Sequence, residues 1–131
     1  MIELSVSRLN KRFGGNHVLK DVSFEINGAE MIGLIGPNGA GKTTLTNVLD
    51  GAVKPNSGTV YLNGTRIDQL PSFEVAKAGL GRTFQVTRSF RRMTVLENLY
   101  VPALAQGRSH KGKEVREEAL EVLDFLTMAH L

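Results

Sequence analysis

At 131 residues, 41% of them hydrophobic, the chain has room for one domain with a real core and suits a soluble globular protein. No apolar run approaches the roughly 20 residues a membrane helix needs, and Met1-Ile2-Glu3-Leu4 lacks the basic-then-apolar layout of a signal peptide, so a cytoplasmic location is expected. Zero cysteines exclude a disulfide framework and cysteine chemistry, and a net charge of +3 is too small to argue for nucleic acid by itself.

Ile2, Leu4 and Val6 alternate with Glu3, Ser5 and Ser7, the period of a half-buried strand, which predicts a first strand over Ile2 to Leu9. Lys11 to Gly15 reads as a turn. A second strand is expected from Val18 to Ile26, and Asn27-Gly28 as a hairpin into a third, Met31 to Ile35. Helical spacing follows from Lys42 to Asp50, with Gly51 as its stop. Thr59 to Leu62 and Thr65 to Ile67 read as short strands joined by Asn63-Gly64. Ser72 is placed to cap a helix through Lys77 that ends at Gly79. Thr94 and Glu97 have the spacing of a capping box for a helix over Val95 to Val101, closed by Pro102. Gln106 to Lys113 is a polar loop. The last helix, Glu114 to Ala129, is expected to bury Val115, Leu120, Val122, Leu123 and Leu126.

The most informative stretch is Gly36-Pro37-Asn38-Gly39-Ala40-Gly41-Lys42-Thr43, a GxxxxGK[ST] phosphate loop between an apolar run and a helix. Gly36, Gly39 and Gly41 let the backbone take positive φ and bring N–H groups close to an anion. Together with Asn38 and Ala40 they form a nest that opens onto a helix N-terminus, where unpartnered N–H groups and the dipole favour negative charge. Lys42 is placed to reach the β- and γ-phosphates, Thr43 to complete the shell of a Mg²⁺ between them, and Thr44 to add a hydroxyl. A glycine-rich turn that merely joins strand to helix is the plainer alternative.

The ordered residues resemble the ATP-binding subunit of an ABC transporter. The likeness is carried by Phe13 in Arg12-Phe13-Gly14-Gly15, by Leu19 to Phe24, by Gly33 to Gly39 and by Arg82-Thr83-Phe84-Gln85. The last segment, continued from Phe90 to Leu99, is especially similar to subunits that drive branched-chain amino acid importers. The resemblance implies an α/β P-loop NTPase fold, here an antiparallel β subdomain plus the start of a RecA-like α/β core, with residues 1–131 as the N-terminal part of a nucleotide-binding domain. It implies ATP and Mg²⁺ as ligands. Phe13 would stack on adenine, flanked by Val18, and Gln85 would touch Mg²⁺ and the attacking water. Lys42 and Gln85 are thus the catalytic candidates, and Thr43 and Gln85 the metal ligands. Implied partners are transmembrane permease subunits and a second ATP-binding subunit that sandwiches ATP, with the protein peripheral on the inner face of the membrane.

The departures from that family are as definite. The printed sequence holds no signature motif, no apolar strand ending in Asp-Glu and no switch histidine, so it lacks the metal-supporting Asp and the probable base. The resemblance also implies that the parallel strands flanking Met31 to Ile35 come from further along the chain, so this segment should leave apolar surface and backbone groups open, making the chain marginal and prone to associate. A truncated, non-catalytic nucleotide-binding module is therefore the competing reading. Arg82, Arg88, Arg91 and Arg92 with Phe84 and Phe90 only superficially suit a nucleic-acid strip, and none is expected. Asn10-Lys11-Arg12-Phe13 lacks the Asp of a GTPase base-reading motif, and His17, His110 and His130 have no metal-ligand spacing.

Overall fold

The computed structural model describes residues 3–86, 89–105 and 112–128. It divides into two compact units, Met1–Thr83 and Phe84–Leu131.

In the first unit the strands β1 (Glu3–Phe13), β2 (Asn16–Asn27), β3 (Ser57–Leu62) and β4 (Thr65–Arg66) form one antiparallel sheet in the order β2-β1-β3-β4. β1 runs further than the alternation predicts. Lys11 to Phe13, expected as a turn, stay in the ladder, and the reversal is made at Gly14-Gly15, with Gly14 at φ 56°. The extra length is supported from the β3 side. Arg12 N donates to Asn56 Oδ1 at 2.6 Å and Asn56 N to Asn10 O at 2.9 Å.

Leu4, Val6 and Leu9 are all buried in the same core although the last interval is three residues, not two. A strand can do this only by inserting a residue. Arg8 takes φ 46°, and the register with β3 shifts between Ser7 and Asn10. Gly58 faces this bulge at φ 94°, where a Cβ would stand 2.5 Å from Arg8 O. The Asn63-Gly64 turn has positive φ at both residues, 49° and 76°, which is the geometry an Asn-Gly hairpin selects.

Two helices complete this unit, α1 (Lys42–Leu49) and α2 (Ser72–Lys77). Leu45 and Val48 of α1 and Val75 of α2 join Leu19, Val60, Leu62 and Ile67 in the core. Gly51 at φ 74° and Gly79 at φ 108° stand where the sequence places the helix stops. Ser72 does not cap α2; Pro71 holds that position and Ser72 is the first helical residue. Proline fits there because its φ is already fixed in a range extended backbone accepts.

The expected third strand does not form. Met31 to Ile35 carry no hydrogen-bonded strand partner among the described residues, and the Asn27-Gly28 hairpin is not closed. Met31 and Ile35 are 101% and 94% exposed. A strand needs a neighbour to satisfy its backbone, and none is supplied to this segment among the described residues.

In the second unit α3 (Val95–Ala105) packs against α4 (Gly112–Phe125). The capping box is present: Glu97 N donates to Thr94 Oγ1 at 3.2 Å, and Thr94 N to Glu97 Oε2 at 2.7 Å. The Thr94 amide, and after it the Thr94 hydroxyl, which donates to Glu97 Oε2 at 3.0 Å, hold the Glu97 carboxyl below its ordinary range. Pro102 does not end α3, which continues to Ala105. α4 begins before Glu114, at Gly112, and buries a narrower stripe than expected, Val115, Ala119 and Leu123. Leu120, Val122 and Leu126 are partly exposed, because an i, i+4, i+8 row suffices to cover one neighbouring helix. Its end is a Schellman-type closure, with Thr127 at φ 56°, Thr127 N bonded to Asp124 O and Met128 N to Leu123 O. The expected terminus at Ala129 lies outside the described residues, as do residues 106–111 of the predicted loop.

Candidate functional site

Two of the three phosphate-loop glycines take the positive φ the motif predicts and Gly36 does not; its need for glycine comes from close approach alone. Gly39 and Gly41 take φ 83° and 90°, and Gly41 is the residue before α1, offering its helix no side-chain cap. The first intrahelical bond runs from Leu45 N to Gly41 O, 2.8 Å, so the amides of Lys42, Thr43 and Thr44 precede it and have no acceptor within the helix. α1 also carries no acid in its first turn. Its positive end is therefore left to a ligand or to water.

Close approach explains the glycines. A Cβ at Gly36 would meet Ala40 Cβ at 3.1 Å, and one at Gly41 would press on Leu19 Cδ2 at 3.1 Å and Val18 O at 3.2 Å. Lys42 Nζ lies inside the loop, donating to Gly36 O at 2.5 Å and Pro37 O at 2.8 Å. The ammonium is thus pre-positioned on the loop's own carbonyls. This cradle of backbone amides, one flexible cation and adjacent hydroxyls fits a polyphosphate and its magnesium ion.

A cleft of about 370 Å³ opens on it. Asn38, Gly39, Ala40 and Gly41 line one part, Lys42, Thr43 and Thr44 another, and Val18 a third. Asn16 also lines it and escaped the sequence reading. The signal was available, since Asn16 and Val18 are two apart on β2 and so share a face. Phe13, paired with Asn16 across the hairpin, is half-exposed and lies beneath the Lys11 ammonium, 4.9 Å from the ring centroid. It is not among the residues lining the cleft. Gln85 is exposed and belongs to the second unit.

A second cleft of about 400 Å³ lies at the β1 bulge, among Ser7, Arg8, Asn10, Asp21 and Thr59. The Asp21 carboxylate makes it a poor phosphate cradle.

The basic cluster dissolves on inspection. Arg82 Nη1 donates to Asn47 Oδ1 at 2.6 Å and to Asp50 Oδ2 at 2.5 Å, at the far end of α1, whereas Arg91 and Arg92 are exposed in the second unit. Arg88, His110 and His130 lie outside the described residues; His17 Nε2 is hydrogen-bonded with Asn10 Oδ1. The one fully buried charged side chain among the described residues, Asp68, was also missed. Burial opposes its ionisation most strongly. Against this act the Arg66 guanidinium bond, the Val60 amide, the Gln69 amide and the Arg66 charge, and together they hold the carboxyl at about 2.

Similarity to known proteins decides what this loop belongs to. The sequence profile of the ABC transporter family matches residues 19–131. The chain belongs to the ABC transporter family. It is 49% identical over 98 residues to the high-affinity branched-chain amino acid transport ATP-binding protein LivG of Escherichia coli, covering 75% of this chain and 38% of that protein. BraF of Pseudomonas aeruginosa, named for the same transport, is 44% identical over the same shares. The lipoprotein-releasing system protein LolD of Bacteroides thetaiotaomicron is 35% identical, covering 94% of this chain and 57% of that one. Among solved structures, the ATP-binding cassette MJ1267 in its ADP conformation matches with a TM-score of 0.84 at 35% identity, over 100% of this chain and 56% of the cassette. The dimeric cassette MJ0796 matches with a TM-score of 0.77 at 29% identity, over 95% of this chain and 57% of that one. The fold is accordingly that of part of an ABC ATPase cassette, an antiparallel sheet with helices, and the chain spans between about two fifths and three fifths of the length of these relatives.

Proposed function

We propose that the chain binds MgATP as the ATP-binding subunit of an ABC importer for branched-chain amino acids, coupling ATP hydrolysis to transport. The observation that carries this is the phosphate cradle, with Lys42 Nζ already bonded to two of the loop's carbonyls, those of Gly36 and Pro37. In this reading the amides from Gly36 to Thr44 grip the phosphates, and Lys42 exchanges its two carbonyl acceptors for phosphate oxygens. Thr43 and Gln85 would hold Mg²⁺, which would supply neutralisation of charge on the transferring phosphoryl group. Gln85 orients the attacking water with its neutral amide, a donor and acceptor in one group. Phe13 stacks on adenine beside Val18, shedding its contact with Lys11.

The choice of solute rests on the higher identity to LivG and BraF than to LolD. The partners in this reading are permease subunits in the membrane and a second ATP-binding subunit, with this protein peripheral on the cytoplasmic side. No helix among the described residues is long and apolar enough to cross a membrane itself. Titration with MgATP tests the binding. Lys42→Ala is expected to weaken it about tenfold or more, the loss of a charged hydrogen-bond donor, and equal affinity in the variant overturns the phosphate contact.

A second reading is favoured by one observation, the bare Met31 to Ile35 segment in a chain that spans only part of its relatives. It is that residues 1–131 form the N-terminal part of a nucleotide-binding domain that binds nucleotide without turning it over. Multiple rounds of phosphate release from the purified chain, abolished by Lys42→Ala, would exclude it. Binding without release is its expected signature.

A further inference from the structure

α1 has a loop for phosphate at one end and an unusual tether at the other. Its last turn contains no basic residue, although the negative end of a helix favours a cation there. Arg82 supplies one from another part of the chain. Its Nη1 bonds both Asn47 Oδ1 and Asp50 Oδ2, and both charged side chains of the pair are largely withdrawn from solvent. Asp50 is itself fixed by Ala52 N, which donates to Oδ1 at 3.0 Å. The tether therefore has a rigid base. Beyond Arg82 the chain has one more residue in the first unit, Thr83, and then enters the second unit, of which Gln85 is the second residue.

We propose that Arg82 is a positioning residue: by clamping the C-terminal end of α1 it makes the path of Thr83 to Val86, and with it Gln85, answer to what the N-terminal end of the same helix holds. The physical route is short and contiguous. Phosphate bound at Lys42 to Thr44 orders the first turn of α1, an α-helix transmits order along its hydrogen-bond ladder, and the guanidinium carries it across two charge-assisted bonds to the segment that bears Gln85. Linkage makes the effect reciprocal, so fixing the segment also favours the occupied loop. The inference rests on the proposed nucleotide site and adds the residue that connects it to the glutamine.

Hydrogen exchange of the amides at 83–86, measured in the full chain with and without saturating MgATP, tests this. Wild type should exchange several-fold more slowly at 83–86 when nucleotide is bound. Arg82→Met should lose that slowing while still binding MgATP, weakened by no more than the same several-fold factor, and Arg82→Lys, which restores the charge, should recover part of it. Asp50→Asn, which keeps an acceptor for Ala52 N, should give an intermediate loss. If Arg82→Met slows at 83–86 as wild type does, the tether transmits nothing and the inference fails while the nucleotide site stands. If Arg82→Met instead loses protection throughout α1 without nucleotide, Arg82 is a fold-stabilising residue only, and the inference again fails. A wild-type chain with no affinity for MgATP overturns both, the site for want of binding and the tether for want of anything to convey.

Discussion

The two flanks of the phosphate loop both carry apolar residues suited to a core and end in opposite conditions. On the C-terminal side, α1 closes its own backbone hydrogen bonds, buries Leu45 and Val48, and is held at its far end by Arg82. On the N-terminal side, Met31 to Ile35 pair with nothing among the described residues and expose their side chains. The difference follows from what each element requires. A helix satisfies its amides from within four residues, whereas a strand borrows its partners from elsewhere in the chain. A loop fragment that keeps its helix can therefore keep its cradle even where the strand side stays open, which is why the geometry at Lys42 is formed here at all.

The largest effect that bears on this contrast is a pair of truncations, one on each flank. Val48 is 1% exposed, so Val48→Ala should cost about 2–3 kcal/mol through lost burial and a cavity. Ile35→Ala, at a position 94% exposed, should lie within about 0.5 kcal/mol of wild type and should reduce self-association seen by light scattering. Urea titrations of both variants measure the difference. Equal costs would mean that Ile35 is buried in solution, by another copy or another segment, and the contrast would not hold.

A smaller effect separates the helix from its stop. Gly51 ends α1 at φ 74°, and a Cβ there would stand 2.8 Å from Leu70 O and 3.0 Å from Val75 Cγ2. Gly51→Ala adds backbone strain to that clash and should cost about 2 kcal/mol. Gly39→Ala meets no atom within 4 Å and carries only the strain of φ 83°, about 1 kcal/mol, so it should affect stability less. The reverse order would place the greater strain in the phosphate loop.

What the sequence disclosed were features settled within a few residues: the phosphate loop, the Asn63-Gly64 turn, the Thr94/Glu97 box and the glycine stops. Each is decided by local backbone chemistry. Strand pairing is not, and the apolar run of Met31 to Ile35 spoke only of a strand's appetite for partners. The Arg82 tether joins residues 32 positions apart, and the arginine looked like one member of a basic run until its acceptors on α1 were known. Asp68 follows the same logic, since nothing in Ile67-Asp68-Gln69 says that its carboxylate is buried beneath an amide from Val60. Asn16 differs: it was legible through its spacing from Val18 and was passed over.

Asp68 gives the smallest handle, and it acts on the paired side of the contrast alone. It accepts from Val60 N at 3.1 Å and from Arg66 Nε at 2.9 Å, joining β3 to the segment after β4. Its folded carboxyl is lowered from 3.8 to about 2, so its contribution is fully present above pH 4 and is lost as pH falls through about 2. Because Arg66 is solvent-exposed and its charge is screened, the contribution is on the order of 1 kcal/mol. Urea midpoints measured from pH 5 to pH 2 should therefore fall more steeply in wild type than in Asp68→Asn, which is weaker at pH 5 but has no proton to gain. Association through Met31 and Ile35, if light scattering detects it, involves no titrating side chain of those two residues, and its concentration dependence should persist in Asp68→Asn. Parallel acid slopes in the two proteins would mean that the carboxylate is not ionised in the fold, and that the sheet is held there by packing alone.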